Sequence, residues 1–243
     1  MSLKKSIKGF FREMAKKAAP DYGRTLATRQ EYQERLKMSL RDWLVYHHKE
    51  IVFKNNYWMG VKALKNPFDC WIYQEIIHEV KPDVIIEIGC AQGGSALYLA
   101  NLLDLLDHGE VISIDKDRSK FRVSHKRIIE IEGDSTSPQV LEQTAKLCSG
   151  KSALVIQDGD HYRDGVLKDL RNYSPFVSLG SYFIVEDGIV DLYAAHEDLG
   201  MKVEGPLQAI ADFLRENPNF VVDKERERYL LTYNPNGYLK RIG

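Results

Sequence analysis

VIQDGDHYRDGVLKDLRNYSPFVSLGSYFIVEDGIVD, Val155–Asp191, decides the reading of the chain. Apolar runs at Ala153–Ile156 and Tyr182–Val185 read as buried strands, with a helix-like stretch between them. Carboxylates follow each run: Asp158 and Asp160 after the first, Glu186 and Asp187 after the second. If the two strands are parallel neighbours, their ends lie about 4.8 Å apart. Carboxylates that close repel one another unless a cation or shared protons neutralise them. A divalent metal is the simplest neutraliser, and His161 stands beside the cluster.

Outward from this segment, strand-like runs alternate with helical ones. The runs are Val84–Ile88, Val111–Ile114, Arg127–Ile131, Ala153–Ile156, Tyr182–Val185, Phe220–Val222 and Tyr229–Thr232. Helices are expected near Ser95–Leu106, Pro138–Leu147, Gly165–Asn172 and Pro206–Asn217. Such alternation predicts an α/β fold: a doubly wound, mostly parallel seven-stranded sheet covered on both faces. Only DKERER separates the last two runs, too short for a crossover helix, so an antiparallel C-terminal hairpin is expected. Residues 1–54 read as an N-terminal helical extension and 55–243 as the catalytic domain. Within the extension, Thr25–Glu50 reads as one long helical stretch.

With 243 residues, 44% of them apolar, the chain can bury one large core. A net charge of −1 gives no case for nucleic-acid binding. No apolar run approaches the roughly 20 residues of a membrane span, and no secretory leader is visible. Cys70, Cys90 and Cys148 have no metal or disulfide spacing and suit a reducing cytoplasm. Residues 1–18 form a basic amphipathic helix candidate. Leu3, Ile7, Phe10, Phe11 and Met14 recur at helical spacing, and six cations stand against Glu13. That pattern suits peripheral contact with a membrane surface or a lipid-linked glycan. The competing reading is a helix docked on the body or on another subunit.

VIIEIGCAQGGSALYLA (Val84–Ala100) is a strand, a glycine turn and a helix start. Gly89, Gly93 and Gly94 suit close backbone approach to a ligand. Their spacing, GxxxGG, departs from the dinucleotide fingerprint. Asp115 ends the next strand, where an acidic residue can accept both ribose hydroxyls. Asp134 and Ser135 follow the third, within reach of an adenine or its ribose, and Glu87 is placed to face an amino acid's ammonium group. Together these describe S-adenosylmethionine. Competing roles exist: Asp115 as a helix cap, Asp134 as a turn former.

EIGCAQGGSALYLA, SIDKD, QDGDH and VED, in this order, resemble the cephalosporin-hydroxylase-like family. That family includes rhamnosyl O-methyltransferases and is similar to metal-dependent macrolide-sugar O-methyltransferases. The flanks YWMGVKALKNPFDCWIYQEI and RYLLTYNPNGYLKR share the likeness, which spans about Asn55 to Ile242. It implies a class I methyltransferase fold, S-adenosylmethionine as cofactor, and O-methylation of a saccharide or glycosylated small molecule by a homo-oligomer. The cofactor set it implies is Glu87, Gly89, Cys90, Ala91, Gly93, Gly94, Ser95, Asp115, Asp134, Ser135 and Asp158. It implies Asp158, Glu186 and Asp187 as metal ligands, with Asp160 able to replace Asp158. All-oxygen ligation favours Mg2+, with Mn2+ or Ca2+ as alternatives. His161 takes the offset of a catalytic base in the sugar methyltransferases; its bland alternative is a supporting hydrogen bonder. His47, His48 and the other histidines read as ordinary packing or surface residues. The family name also leaves a hydroxylase or oxidoreductase as an alternative, and a non-catalytic binding protein is a third.

Overall fold

The computed structural model describes residues 28–193 and 204–243; the helix expected over residues 1–18 lies outside them. The chain divides into two compact units between Trp43 and Leu44. In the first, Thr28 and Glu31 form a reciprocal capping box at the start of a helix over Arg29–Leu36. The single helix expected over Thr25–Glu50 is interrupted. Ser39 accepts from the Asp42 backbone N–H and starts a second helix, Leu40–Tyr46. From His47 to Val52 the backbone widens into a π-helix. An extra residue per turn leaves no mark in hydrophobic spacing.

The second unit is built on one seven-stranded sheet. Its strands are β1 (Val84–Ile88), β2 (Glu110–Asp115), β3 (Ile128–Glu132), β4 (Ala153–Gln157), β5 (Tyr182–Val185), β6 (Phe220–Val222) and β7 (Tyr238–Arg241). They lie in the order β3-β2-β1-β4-β5-β7-β6, and the pairs from β3 to β5 are all parallel. Only β7 is reversed, antiparallel to both β5 and β6. The doubly wound, mostly parallel seven-stranded fold expected from the sequence is therefore present.

One strand differs from expectation. Tyr229–Thr232 is not extended; β7 follows later, at Tyr238–Arg241. Leu230 sits in the left-handed region at φ 62°, and the backbone that follows is committed to Asp69. That buried carboxylate accepts from Thr232 Oγ1 (2.6 Å), Tyr233 N (2.8 Å), Tyr238 Oη (2.8 Å) and Asn66 Nδ2 (2.9 Å). Burial pushes the Asp69 carboxyl up to about 6, against the pull of those donors.

The central strands bury both faces, as continuous apolar runs require. Ile85, Leu154, Ile156 and Ile184 pack on α1 (Pro67–Val80) and α2 (Gly94–Leu105). Val84, Ile86, Ile88 and Val155 face the opposite way, toward α3 (Pro138–Cys148), α4 (Arg163–Tyr173) and α5 (Pro206–Glu216). Ile85 and Ile86 are fully buried, each stabilising the fold by roughly 2 kcal/mol. Both layers hold the carboxyl ends of β1, β2, β4 and β5 along one edge. Glu87, Asp115, Asp158 and Glu186 emerge there, the edge where open α/β sheets bind ligands.

Candidate active site

The glycine turn after β1 is shaped by its neighbours in the chain. At Gly89 (φ 83°) an added Cβ would lie 2.2 Å from the Asp158 carbonyl oxygen. At Gly94 it would lie 2.2 Å from the Lys62 carbonyl oxygen. The sequence suggested that these positions admit a ligand. In the structure the space is taken by the β4 exit and by the strip leading into α1. Cys90 and Ala91 each donate a backbone N–H to Asp115 Oδ2 at 3.0 Å. Burial opposes ionisation of Asp115, but these donors and Asp117 N hold its carboxyl below the usual range.

Glu87 is fully buried; neither carboxylate oxygen completes a hydrogen bond among the described residues, although the Ser95 hydroxyl lies near enough to draw its pKa down. Burial pushes it up to about 7, with Lys65's charge pulling the other way. Ser95 is buried at the start of α2. Asp134 is exposed and bonded to Thr136 N and Oγ1, both at 2.8 Å, so its observed role is that of a turn former. Ser135 Oγ donates to buried Asp169 at 2.7 Å.

The second half of the site is acidic. Asp158 N donates to Ile88 O at 2.7 Å and Glu186 N to Gln157 O at 3.0 Å, so the sheet ladder itself sets both residues. Asp187 follows in the left-handed region at φ 58°, its N–H held by Asn234 Oδ1 at 3.2 Å. His161 Nε2 lies 2.9 Å from Asp187 Oδ2 and 3.6 Å from Asp158 Oδ1. One ligand atom from each of Asp158, His161 and Asp187 falls within 4.8 Å of the others. Burial disfavours the imidazolium, but Asp158 and Asp187 outweigh it and push His161 up to about 11. Asp160 stands apart. Its Oδ1 accepts from Tyr162 N at 2.8 Å, and its Oδ2 lies where a Cβ on Gly165 would be. It serves the start of α4.

Two features escaped the sequence. Lys65, only 4% exposed, donates to Asp158 Oδ2 at 2.6 Å and to Glu186 Oε1. The cation that the crowded carboxylates demanded is thus partly supplied by the chain. Lys65 holds Asp158 ionised despite its burial, whereas burial beside Asp158 and Asp187 raises Glu186. The available signal was composition: between Trp58 and Tyr73 the only charged residues are Lys62, Lys65 and Asp69.

The second is the histidine pair on the π-helix. Both are buried: His47 Nδ1 meets Tyr233 Oη at 2.7 Å and His48 Nδ1 meets Tyr193 Oη at 3.2 Å. Burial and the neighbouring His48 push His47 down to about 4. Burial also lowers His48, which feels the charges of Asp187 and His161. Both pack against buried tyrosines, as expected of packing residues, and His48 in addition senses the Asp187–His161 pair.

Comparison with known proteins gives the chain's relatives. The Rhamnosyl O-methyltransferase/CmcI family matches residues 50–242. The chain is 33% identical over 204 residues to the rhamnosyl O-methyltransferase of Mycobacterium leprae, covering 81% of this chain and 87% of that protein. It is 32% identical over 205 residues to the rhamnosyl O-methyltransferase of Mycobacterium tuberculosis H37Rv, covering 81% and 82%. Among solved structures it resembles CmcI with Mg and SAM, with a TM-score of 0.63, 21% identity, and 92% and 88% of the two chains covered. An apo structure of CmcI matches with a TM-score of 0.60, 19% identity, and 92% and 100% covered. At these identities the structural likeness establishes the fold.

Proposed function

The chain belongs to the Rhamnosyl O-methyltransferase/CmcI family, and on that premise we propose that it is an O-methyltransferase. It moves the methyl group of S-adenosylmethionine to a hydroxyl of a saccharide or glycosylated small molecule, with Mg2+ at the acidic cluster. The observation that carries this reading is the meeting of Asp158, His161 and Asp187 within 4.8 Å, on the sheet edge where Glu87 stays buried and unpartnered. The likeness to methyltransferases over 81% of the chain favours methyl transfer over the oxidoreductase alternative.

The residues fit both groups. A buried carboxylate without a partner suits the cofactor's ammonium, and a carboxylate-rich donor set suits a hard divalent cation. S-adenosylmethionine supplies the methyl group, and the cation supplies positive charge beside the acceptor oxygen. Glu87 and the Gly89–Ser95 turn bind the donor, with Asp115 at its ribose and Asp134–Ser135 at its adenine. Asp158, Glu186 and Asp187 hold the cation; Asp160, committed to α4, is the weaker candidate. His161 takes the acceptor's proton at Nε2. Without a cation Asp158 and Asp187 hold His161 as an imidazolium; a divalent cation held by them would supply the charge that frees it to act as a base. The chain's remaining task is alignment, which keeps the acceptor oxygen in line with the methyl carbon.

We also propose, from the sequence, a homo-oligomer in the cytoplasm, an extension over 1–54, and peripheral contact through residues 1–18. Among the described residues no helix is long and apolar enough to cross a membrane. Incubation with methyl-labelled S-adenosylmethionine and a panel of deoxysugar-bearing acceptors tests the activity. Label should pass to the acceptor, stop with EDTA and return with Mg2+. Transfer indifferent to EDTA would remove the metal from the scheme.

A further inference from the structure

Lys65 divides the oxygens of the acidic cluster. Its Nζ binds Asp158 Oδ2 at 2.6 Å and also binds Glu186 Oε1. Asp158 is left with Oδ1, the oxygen that faces His161 Nε2 at 3.6 Å. The lysine is firmly set. Its side chain is 5% exposed, Asn56 Nδ2 donates to its backbone carbonyl at 2.7 Å, and Asn66 immediately after it caps α1. A buried ammonium on one carboxylate oxygen disfavours chelation through both, because the second cation would share that oxygen with a fixed positive charge.

That constraint discriminates between ions. Ca2+ takes about six to eight oxygens in flexible shells that often include bidentate carboxylates, whereas Mg2+ requires a compact octahedron of single oxygens and retains waters. We infer that Lys65 is a specificity-determining positioning residue: by occupying one oxygen each of Asp158 and Glu186, it restricts them to single-oxygen ligation and selects Mg2+ over Ca2+. The inference rests on the reading of the cluster as a divalent-cation site. A purely structural role explains the contact less well. Burying Lys65 against two carboxylates costs desolvation that offsets much of the attraction, and well-packed apolar side chains would close the same space.

The test is calorimetric titration of the full chain, freed of metal with EDTA, with MgCl2 and separately with CaCl2. Wild type is compared with Lys65→Met, and with Lys65→Gln in case Lys65→Met does not fold. Removal of the ammonium should move the ratio of the two dissociation constants toward Ca2+ by at least about tenfold. A smaller shift, or one toward Mg2+, overturns the inference. A lysine that only braced the fold would weaken both ions in parallel and lower the melting temperature, leaving the ratio where it was. Wild-type protein that bound neither ion would instead overturn the cation site itself, and this inference with it.

Discussion

The Nε2 atom of His161 stands 2.9 Å from Asp187 Oδ2, so the proposed base is itself tied to a carboxylate of the proposed metal site. The proposed base and cation site would then be one constellation. Replacing His161 with Ala should lower kcat by about 100- to 10,000-fold, the usual contribution of a positioned base. S-adenosylmethionine affinity, measured by calorimetry, should change little. Equal losses in turnover and cofactor binding would remove His161 from the proton transfer.

The same contact has a pH signature in protein freed of metal. The folded pKa of His161 is raised from 6.5 to about 11. Its stabilising contribution is therefore complete below the unfolded value and is lost as pH rises toward the folded one. Melting temperatures of the EDTA-treated protein, followed from pH 6.5 upward, should fall more steeply in wild type than in His161→Gln. Parallel curves would mean that the imidazolium is not held by Asp158 and Asp187.

His47 works in the opposite direction. Burial and His48 lower it from 6.5 to about 4. The unfolded chain takes up the proton first as pH falls, so stability is lost between those two values. Urea unfolding across that range should show a weaker acid dependence in His47→Gln than in wild type.

Glu87 should show opposed effects on stability and binding. Its fully buried, unpartnered carboxylate costs the unliganded fold. Glu87→Gln should raise the melting temperature of the unliganded protein, while weakening S-adenosylmethionine binding by about 10-fold or more through loss of a charge-assisted hydrogen bond. A variant that bound the cofactor as tightly as wild type would free Glu87 of that role.

Gly94 isolates a steric requirement. A Cβ there would stand 2.2 Å from the Lys62 carbonyl oxygen, on the strip that delivers Lys65. Gly94→Ala should cost about 1–3 kcal/mol in urea unfolding, the range for overpacking, and should lower activity as well. An unchanged unfolding midpoint would show that residues 62–65 yield freely.

The sheet was legible because doubly covered parallel strands must be apolar throughout. Val84–Ile88 and Tyr182–Val185 appear with the bounds their composition suggested. The acidic exits were legible because a carboxylate just after an apolar run marks the end of the strand. Lys65 was not, because its partners lie far along the chain at Asp158 and Glu186, and no local pattern records a countercharge. Tyr229–Thr232 misled because an apolar run was taken for pairing, whereas Thr232 and Tyr233 are engaged by Asp69. The role of Asp160 was ambiguous for a related reason. Its bond to Tyr162 N is a helix-start interaction that a carboxylate two residues from Asp158 conceals.

The four-donor cluster at Asp69 bears on when during synthesis the site comes into being. Asp69 is translated before the acidic residues, yet three of its donors, from Thr232, Tyr233 and Tyr238, come after them. Asn234, which holds the Asp187 N–H, lies in the same late segment. A nascent chain still in the ribosome tunnel at residue 231 therefore carries every proposed ligand but lacks the pieces that fix Asp187 in its left-handed turn. The cation site is completed only as the reversed strand slides between β5 and β6, so competence for catalysis arrives after translation of the ligands themselves is finished.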